Sequence, residues 1–318
     1  MRIMKKTFLI ILLTFVFIIL IGIISWNYPK TEYENGNGEN IEEGNKNSSW
    51  TVTQYGEKTM PQMMCFTIEG NENGLVVIDG GYKYSVEDVE RIVSIANNHN
   101  NEIDAWIITH LDSDHVGVCL NLIDNHPEIK IDKIYTTNVP TFEQAKEKYP
   151  QETEWEYFQE FTSLNLENIQ WLKENDEIKD IIGLKMKVLW AYSDWLYENC
   201  TNLLNNGSLV FKLYGQNESM LFCSDTQNAM VEEQIVERHK SDLKSDYMQV
   251  GHHGNNNFSQ EFYKLVSPKK AFFAGPQELV DNTNNISWFT ADIIKGWLEE
   301  MNVEIYCHET SPNEFILK

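Results

Sequence analysis

The sequence has few cationic side chains. Its 318 residues contain 25 Lys and Arg against 48 Asp and Glu, which gives a formal net charge of −23 at pH 7. A field of this sign repels polyanions and disfavours sequence-independent binding of nucleic acid. It does not exclude a nuclease whose metal ions supply local positive charge. The acidity is typical of an exposed domain that stays soluble.

Cysteine is also scarce, with five residues and no C-x-x-C pair. Scattered thiols argue against a zinc ribbon and against a dense disulfide framework. Their odd number leaves at least one without an intramolecular partner. Cys65 and Cys223 stand in apolar runs, so we expect them to be small buried hydrophobes. The sequence contains no internal repeat and no cell-wall-binding array.

The sequence has one long apolar run, over residues 8–24, which follows Arg2, Lys5 and Lys6. It is just long enough to cross a hydrocarbon core, and no small-x-small cleavage site follows it. We therefore predict an uncleaved signal-anchor, with a cleaved signal peptide as the alternative. The basic N-terminus predicts a single-pass protein of the cell membrane whose folded domain is extracellular, or secreted if the segment is cleaved.

Composition divides the chain into three parts. These are a transmembrane segment at residues 1–27, a flexible Asn/Gly/Glu-rich tether at 28–48, and one folded domain at 49–318.

Short apolar strands alternate with helices through the folded domain. We predict strands at 50–54, 64–68, 75–79, 105–109, 131–136, 184–191, 208–214, 219–223, 246–250, 271–274, 303–307 and 315–317. We predict helices at 85–97, 227–239, 259–265 and 290–301, and a helical stretch with loops at 141–180. This order predicts a four-layer α/β/β/α sandwich, with helices outside two apposed sheets and with ligand-bearing loops along one edge.

One motif dominates the sequence, Thr-His-Leu-Asp-Ser-Asp-His-Val-Gly at 109–117. It follows an apolar strand and is expected to form a loop. Imidazole and carboxylate groups are the ligands that borderline divalent metals take, and four of them can serve two ions. A lone His-x-Asp is more often a solvated loop, but two further clusters follow downstream. The four candidate ligands are His110, Asp112, Asp114 and His115.

The downstream clusters also stand at strand ends, where loops present side chains on a rigid support. Asp225 follows one predicted strand, and the pair His252 and His253 follows another between two glycines. Asn205 and Asn206 precede a third strand.

This ordered set resembles the metallo-β-lactamase-fold hydrolases from about Trp50 to the C-terminus. More narrowly, Thr-His-x-Asp-x-Asp-His-x-Gly, Asn-Asn-x-Ser-Leu-Val, Ser-Asp and Val-Gly-His-His-Gly resemble the extracellular hydrolase domain of the competence protein ComEC. The resemblance implies the metallo-β-lactamase fold and an enzyme with two divalent ions, Zn²⁺ or Mn²⁺.

The resemblance also implies a role for each residue. His110 and Asp112 would hold one ion, Asp114 and His115 the other, and Asp225 would bridge them. One histidine of the 252–253 pair would complete the shell, and the sequence alone does not rank the two. We take His252 as the ligand and His253 as a catalytic neighbour.

Two departures from the commoner pattern bear on the metal. Asp112 stands where a histidine is usual, and Asn205 with Asn206 stands where another histidine is often found. Oxygen in place of nitrogen makes one site harder, which shifts its preference from zinc toward Mn²⁺ or a mixed pair. Both departures resemble the ComEC-like subgroup.

The implied reaction is hydrolysis of a phosphodiester-type bond by a metal-bridging hydroxide. Asp114 would orient that hydroxide and take its proton, and Asn206 or the spare histidine would donate to the substrate. The substrate would be a small molecule, a nucleotide or a cell-envelope phosphodiester. The alternatives are a cell-wall phosphocholine esterase, a β-lactam or lactone hydrolase, and a non-catalytic binding member of the fold.

Three further histidines lie in polar stretches. We expect His99, His126 and His239 at the surface.

Overall fold

A computed structural model describes residues 49–56, 62–152, 155–308 and 311–318 of the chain. The predicted transmembrane segment at 1–27 and the tether at 28–48 lie outside these residues. Among the helices of the described part, none is both long and apolar enough to span a bilayer.

Sixteen strands are formed by the described residues, and seven of them make the first sheet. Its spatial order is β16-β1-β2-β3-β5-β7-β8. The strands are β1 Trp50–Gln54, β2 Cys65–Glu69, β3 Leu75–Asp79, β5 Ala105–Ile108, β7 Ile134–Thr137, β8 Ile169–Leu172 and β16 Asn313–Leu317. Strands β3, β5, β7 and β8 run parallel, so their carboxyl ends lie at one edge.

The second sheet also has seven strands, in the order β15-β14-β13-β12-β11-β10-β9. They are β9 Glu177–Ile181, β10 Leu184–Trp190, β11 Val210–Tyr214, β12 Ser219–Phe222, β13 Tyr247–Val250, β14 Lys270–Phe273 and β15 Glu304–Cys307. Strands β12 to β15 are parallel. The short strands β4 Glu102–Ile103 and β6 Lys130–Ile131 pair separately.

Helices connect these strands and cover the outer faces of both sheets. They are α1 Val86–Asn98, α2 Ser113–Asn125, α3 Phe142–Lys148, α4 Trp155–Ser163, α5 Asp194–Asn199, α6 Leu203–Asn206, α7 Ala229–Leu243, α8 Gln260–Val266, α9 Gln277–Val280 and α10 Ala291–Glu300. Short 3₁₀ turns occur at Asn71–Asn73 and His252–Gly254.

Three apolar clusters hold these layers together. The central cluster joins the inner faces of the two sheets, and includes Phe66 from the first and Phe222 from the second, whose rings meet edge to face at 5.3 Å. The other two clusters pack α1, α2 and α4 on the first sheet, and α7, α8 and α10 on the second. The predicted arrangement of two apposed sheets with helices outside is therefore confirmed.

Two stretches differ from the sequence-based assignment. The stretch at 141–180, predicted as helix with loops, ends in edge strands β8 and β9, whose side chains are mostly exposed and so lack a clear apolar alternation. The 109–117 motif, predicted as a loop, instead begins a helix. Asp112 is the N-cap of α2, and Asp114 and His115 lie in its first turn.

The remaining histidines and the cysteines are mostly buried. The prediction of a surface position is wrong for His99, which contacts the carbonyl of Asn73 at 2.8 Å, and for His239, whose Nε2 contacts Glu174 at 2.8 Å. His126 is partly exposed. All five cysteines are free and buried, as expected for Cys65 and Cys223.

Candidate metal centre

The candidate ligands come from the carboxyl ends of parallel strands in both sheets. Asp79 ends β3 and His110 follows β5 in the first sheet, while Asp225 follows β12 and His253 follows β13 in the second. Because the carboxyl ends of parallel strands meet at one edge, residues distant in sequence converge there. The two sheets are joined close by, where the amide of Leu209 donates to the carbonyl of Thr109 at 2.9 Å.

His115 is completely buried and its orientation is set by Asp79. Its Nδ1 lies 2.7 Å from Asp79 Oδ2. A carboxylate only accepts hydrogen bonds, so Nδ1 carries a proton and Nε2 is the nitrogen that can bind a cation. That nitrogen faces two carboxylates, at 3.6 Å from Asp114 Oδ2 and 3.4 Å from Asp225 Oδ2.

Asp79 also orients His110, through Thr109. The hydroxyl of Thr109 donates to Asp79 Oδ2 at 2.8 Å, and its backbone amide donates to Asp79 Oδ1 at 2.7 Å. Since the hydroxyl proton is used, its oxygen accepts from Nδ1 of His110, 3.2 Å away. Nε2 of His110 is then the free nitrogen. One carboxylate therefore fixes the tautomer of two imidazoles, as is usual behind metal-ligating histidines.

His253 is the third imidazole of the cluster. Its Nδ1 lies 2.7 Å from the carbonyl oxygen of Ala274, so this nitrogen also carries the proton. Its Nε2 lies 3.2 Å from Asp114 Oδ2 and 3.3 Å from Asp225 Oδ2. His253 thus has the orientation of a ligand.

The order within the histidine pair is therefore the reverse of the one taken from the sequence. His252 is only partly buried, and its Nδ1 contacts the carbonyl oxygen of Asn255 at 2.5 Å. The 3₁₀ turn gives positive φ to both residues, +46° at His252 and +53° at His253, so their side chains do not alternate as they would in a strand. His253, and not His252, enters the cluster.

Two groups of side chains bring their ligand atoms within 4.8 Å of one another in the described part of the chain. They are His110, His115 and Asp225, and Asp114, His115 and His253.

The cluster fits a cation. Three of its buried polar atoms have no hydrogen-bond partner: Nε2 of His110, Nε2 of His115 and Oδ1 of Asp225. Buried polar groups are nearly always satisfied, and lone pairs that face one another across a small space repel unless a positive charge lies between them. Imidazole and carboxylate are suitable donors for Zn²⁺ or Mn²⁺.

The electrostatics of the cluster agree with this fit. Burial alone would lower the pKa of His253, but the carboxylates of Asp225 and Asp114 raise it to about 10. The same carboxylates and Asp79 overcome burial at His115 and raise its pKa well above the usual value. Burial opposes ionisation of Asp225, yet the two imidazoles hold its pKa well below the usual range. Asp225 therefore stays ionised and requires a cationic partner.

Asp112 lies at the rim of the cluster. Its Oδ2 is 3.4 Å from Nε2 of His110, and its side chain is 23% exposed. As the N-cap of α2 its side chain makes no hydrogen bond to the helix, so the carboxylate is available for another partner.

The two asparagines before β11 differ in their contacts. The carboxamide of Asn206 is held at both ends, since its Nδ2 donates to the carbonyl of Thr201 at 2.9 Å and its Oδ1 accepts from the amide of Gln227 at 3.4 Å. These contacts tie α6 to the segment after Asp225, and the catalytic role expected for Asn206 stays a prediction. Asn205 is also buried.

Asp79 is the site residue that sequence reasoning missed. The sequence pattern predicts it only as the last residue of the strand at 75–79. The sequence feature that could have identified it is a carboxylate at the end of a strand, on the same sheet edge as His110. Four residues around the cluster have positive φ without being glycine: Asp79 at +54°, Ser224 at +51°, and the histidine pair. Backbone strain of this kind concentrates at functional sites.

Comparison with known protein families gives one match. Residues 62–184 match the model of the Metallo-beta-lactamase superfamily. The chain contains a metallo-β-lactamase superfamily domain. Members of this superfamily are generally metal-dependent hydrolases, and the prediction of such an enzyme is confirmed at that level. The superfamily also implies a divalent metal.

Solved structures resemble this chain at low sequence identity. A β-hydroxylase, the E377D mutant of CmlA, superimposes with a TM-score of 0.51 and 10% identity over 83% of this chain, but over only 53% of its own length. The metallo-β-lactamase fold protein YhfI from Bacillus subtilis gives 0.48 and 9%, covering 85% and 99%. Zn²⁺-bound PqqB from Methylobacterium extorquens gives 0.49 and 8%, covering 83% and 100%. A comparison with curated proteins gives no significant match.

Proposed function

We propose that the chain is a hydrolase that holds two divalent ions at the cluster and cleaves phosphodiester-type bonds. The observation that carries the proposal is the set of three buried, unpartnered ligand atoms on His110, His115 and Asp225. Nε2 of His115 can bind one ion only, but the Asp225 carboxylate adjoins both groups, with its Oδ2 3.4 Å from Nε2 of His115 and 3.3 Å from Nε2 of His253, so a pair of ions would lie beside it.

The ions, when bound, would supply Lewis acidity that activates water and neutralises charge on a substrate oxygen. The protein supplies the positions. Asp114, the first-turn carboxylate of α2, has its Oδ2 next to Nε2 of His253 and is partly exposed, so it can accept a proton from a reacting water. His252 lies beside the cluster with Nδ1 engaged, which leaves Nε2 to contact substrate.

The two halves of the site have unequal donor sets. One half has the two imidazoles of His115 and His253 with the Asp114 carboxylate, while the other has one imidazole, His110, with the carboxylate of Asp112. A set of ligands in which oxygen donors predominate prefers a harder ion, such as Mn²⁺. We therefore propose a zinc-type half and a half that accepts Mn²⁺.

The subgroup and the location belong to the same proposal. The Asn-Asn-x-Ser-Leu-Val and Val-Gly-His-His-Gly motifs support a ComEC-like hydrolase, and the apolar run at 8–24 supports a membrane anchor with the domain outside the cell. Its substrate would be a small molecule, a nucleotide or a cell-envelope phosphodiester. The net charge of −23 disfavours strong binding of long nucleic acids.

The proposal is tested on the full-length chain in detergent. The protein is stripped with a chelator and assayed against bis-p-nitrophenyl phosphate, single-stranded DNA and nitrocefin, with and without added Mn²⁺ or Zn²⁺. We expect hydrolysis of the phosphodiester only when metal is restored. Asp225→Ala should lose nearly all turnover, while Asp132→Ala, a partly exposed carboxylate paired with Lys130, should retain it.

The alternatives give different results in the same assay. Turnover of nitrocefin alone would indicate a β-lactam or lactone hydrolase. A phosphocholine ester is added to the three substrates, and turnover of that ester alone would indicate a cell-wall esterase. A protein that holds metal but turns over no substrate would be a binding member of the fold. A protein from metal-replete buffer that contains no metal would refute the proposed site.

A further inference from the structure

Gln249 is a fully buried carboxamide at a position where its neighbours are apolar. It lies on β13, in register with Phe222 on one adjacent strand and with Phe272 on the other. Both phenylalanines belong to the core between the two sheets. A polar group in such a place is unfavourable unless its hydrogen bonds are made, so its partners indicate why it is there.

The partners of Gln249 are backbone groups of the turn after β12. Its Oε1 accepts from the amides of Cys223 at 2.9 Å and Ser224 at 2.7 Å. Its Nε2 donates to the carbonyls of Val250 at 2.6 Å and Ser224 at 3.4 Å. Strand β12 ends at Phe222, so these amides no longer pair within the sheet. Gln249 supplies the bonds that the sheet ladder does not.

The turn held in this way is strained, and it carries a candidate ligand. Ser224 has a φ of +51°, and Asp225 follows it directly. Gln249 lies four residues before His253, and the amide of His252 donates to the carbonyl of Ser224 at 2.7 Å. The side chain therefore ties the ligand-bearing turn after β12 to the end of β13, where the turn that carries His253 begins.

We propose that Gln249 is a positioning residue that sets the spacing between Asp225 and His253. This inference rests on the proposed metal site. Gln249 hydrogen-bonds to neither ligand side chain and acts through the backbone of the two turns. Without its two accepted bonds the turn at Ser224 would relax from its strained conformation, because an unsatisfied buried amide seeks another partner. The 3.3 Å separation of Asp225 Oδ2 from His253 Nε2 would then change.

The test uses Co²⁺ as a spectroscopic probe, bound to the full-length chain without substrate. Gln249→Met keeps the length of the side chain and removes all four hydrogen bonds. Gln54→Met is the matched control, because Gln54 is also a buried carboxamide, which donates to the carbonyl of Phe273 at 2.8 Å but reaches neither ligand-bearing turn. Affinity, visible absorption bands and thermal unfolding are recorded for each protein.

We expect Gln249→Met to weaken Co²⁺ binding by about tenfold or more and to shift the absorption bands. Gln54→Met should change only the thermal unfolding. If folded Gln249→Met binds Co²⁺ as the wild type does, or if Gln54→Met loses as much affinity, the positioning role is refuted and the metal site stands. A wild type that binds no Co²⁺ would refute the site itself.

A second variant decides the case in which Gln249→Met does not fold. Gln249→Glu keeps an oxygen that accepts from Cys223 and Ser224, adds no bulk and, as the neutral acid that burial favours, keeps one donor toward the carbonyl of Val250. The positioning role requires its Co²⁺ bands to match those of the wild type. Shifted bands in a folded Gln249→Glu protein would overturn the inference.

Discussion

Oδ2 of Asp79 lies 2.7 Å from Nδ1 of His115, and this contact directs the opposite nitrogen of the imidazole toward Asp114 and Asp225. The same carboxylate accepts from Thr109, which orients His110. A residue that contacts no candidate ion thus controls two candidate ligands, one directly and one through a hydroxyl.

Replacement of Asp79 by Asn should weaken metal binding. The amide offers an N–H where the carboxylate accepts, which favours the wrong tautomer of His115 and places a proton on its ligand nitrogen. We expect the affinity for Zn²⁺ to fall by about 10- to 100-fold in equilibrium dialysis. Asp104→Asn is the control, since the carboxylate of Asp104 accepts from the amide of Leu75 at 2.8 Å, at the opposite end of β3 from Asp79. Equal losses in the two variants would contradict the prediction.

Metal binding should release protons and strengthen as the pH rises. In the metal-free protein the pKa of His253 is raised to about 10 by Asp225 and Asp114, so at neutral pH this imidazole is protonated. The proton competes with the cation, and raising the pH removes the competitor. For each proton displaced, the metal affinity rises by up to about tenfold per pH unit. Calorimetry in two buffers of different ionisation enthalpy measures the number released. A binding heat independent of the buffer would contradict this.

A histidine in place of Asp112 should change the metal preference. The carboxylate lies 3.4 Å from Nε2 of His110, so an imidazole at this position would replace an oxygen donor by a nitrogen donor. We expect Asp112→His to raise the ratio of bound Zn²⁺ to bound Mn²⁺ when the stripped protein is equilibrated with both ions. Elemental analysis gives the ratio directly. A ratio equal to that of the wild type would show that Asp112 is not a ligand.

Gly117 and Gly296 should respond in opposite ways to alanine. A Cβ at Gly117 would lie 2.2 Å from the amide nitrogen of Lys83 and 2.7 Å from the carbonyl of Gly81, which are backbone atoms with little room to move. Gly117→Ala should lower the free energy of unfolding by about 1–3 kcal/mol. Gly296 lies in helix α10 with nothing within 4 Å of such a Cβ, so Gly296→Ala should raise it by about 0.5–1 kcal/mol. Urea unfolding monitored by tryptophan fluorescence compares them.

Sequence patterns were sufficient for the framework of the site. Most strands of the domain were predicted within two residues of their bounds, because many of them are apolar runs followed closely by Gly, Asn or Asp. The candidate ligands could be named for the same reason, since a strand end followed by His or Asp places that side chain at the sheet edge.

The details that escaped sequence reasoning depend on tertiary contacts. Two successive positive φ angles decide which histidine of the 252–253 pair enters the cluster, and the residue types at these positions do not predict such angles. Helix α2 begins inside the motif, with Asp112 at its N-cap position, whereas the ligand pattern predicts a loop. Asp79 acquires its role only through contact with residues 30 to 36 positions later in the chain.

The left-handed backbone at Asp79, Ser224 and the histidine pair has a consequence for assembly of the molecule. Each such residue costs about 1–3 kcal/mol, and only the completed packing of both sheets sustains the cost. A partly assembled chain would offer its imidazoles and carboxylates singly, too far apart to chelate. Uptake of a cation therefore indicates that both sheets have packed completely. A metal-sensitive dye could serve as a probe of correct refolding.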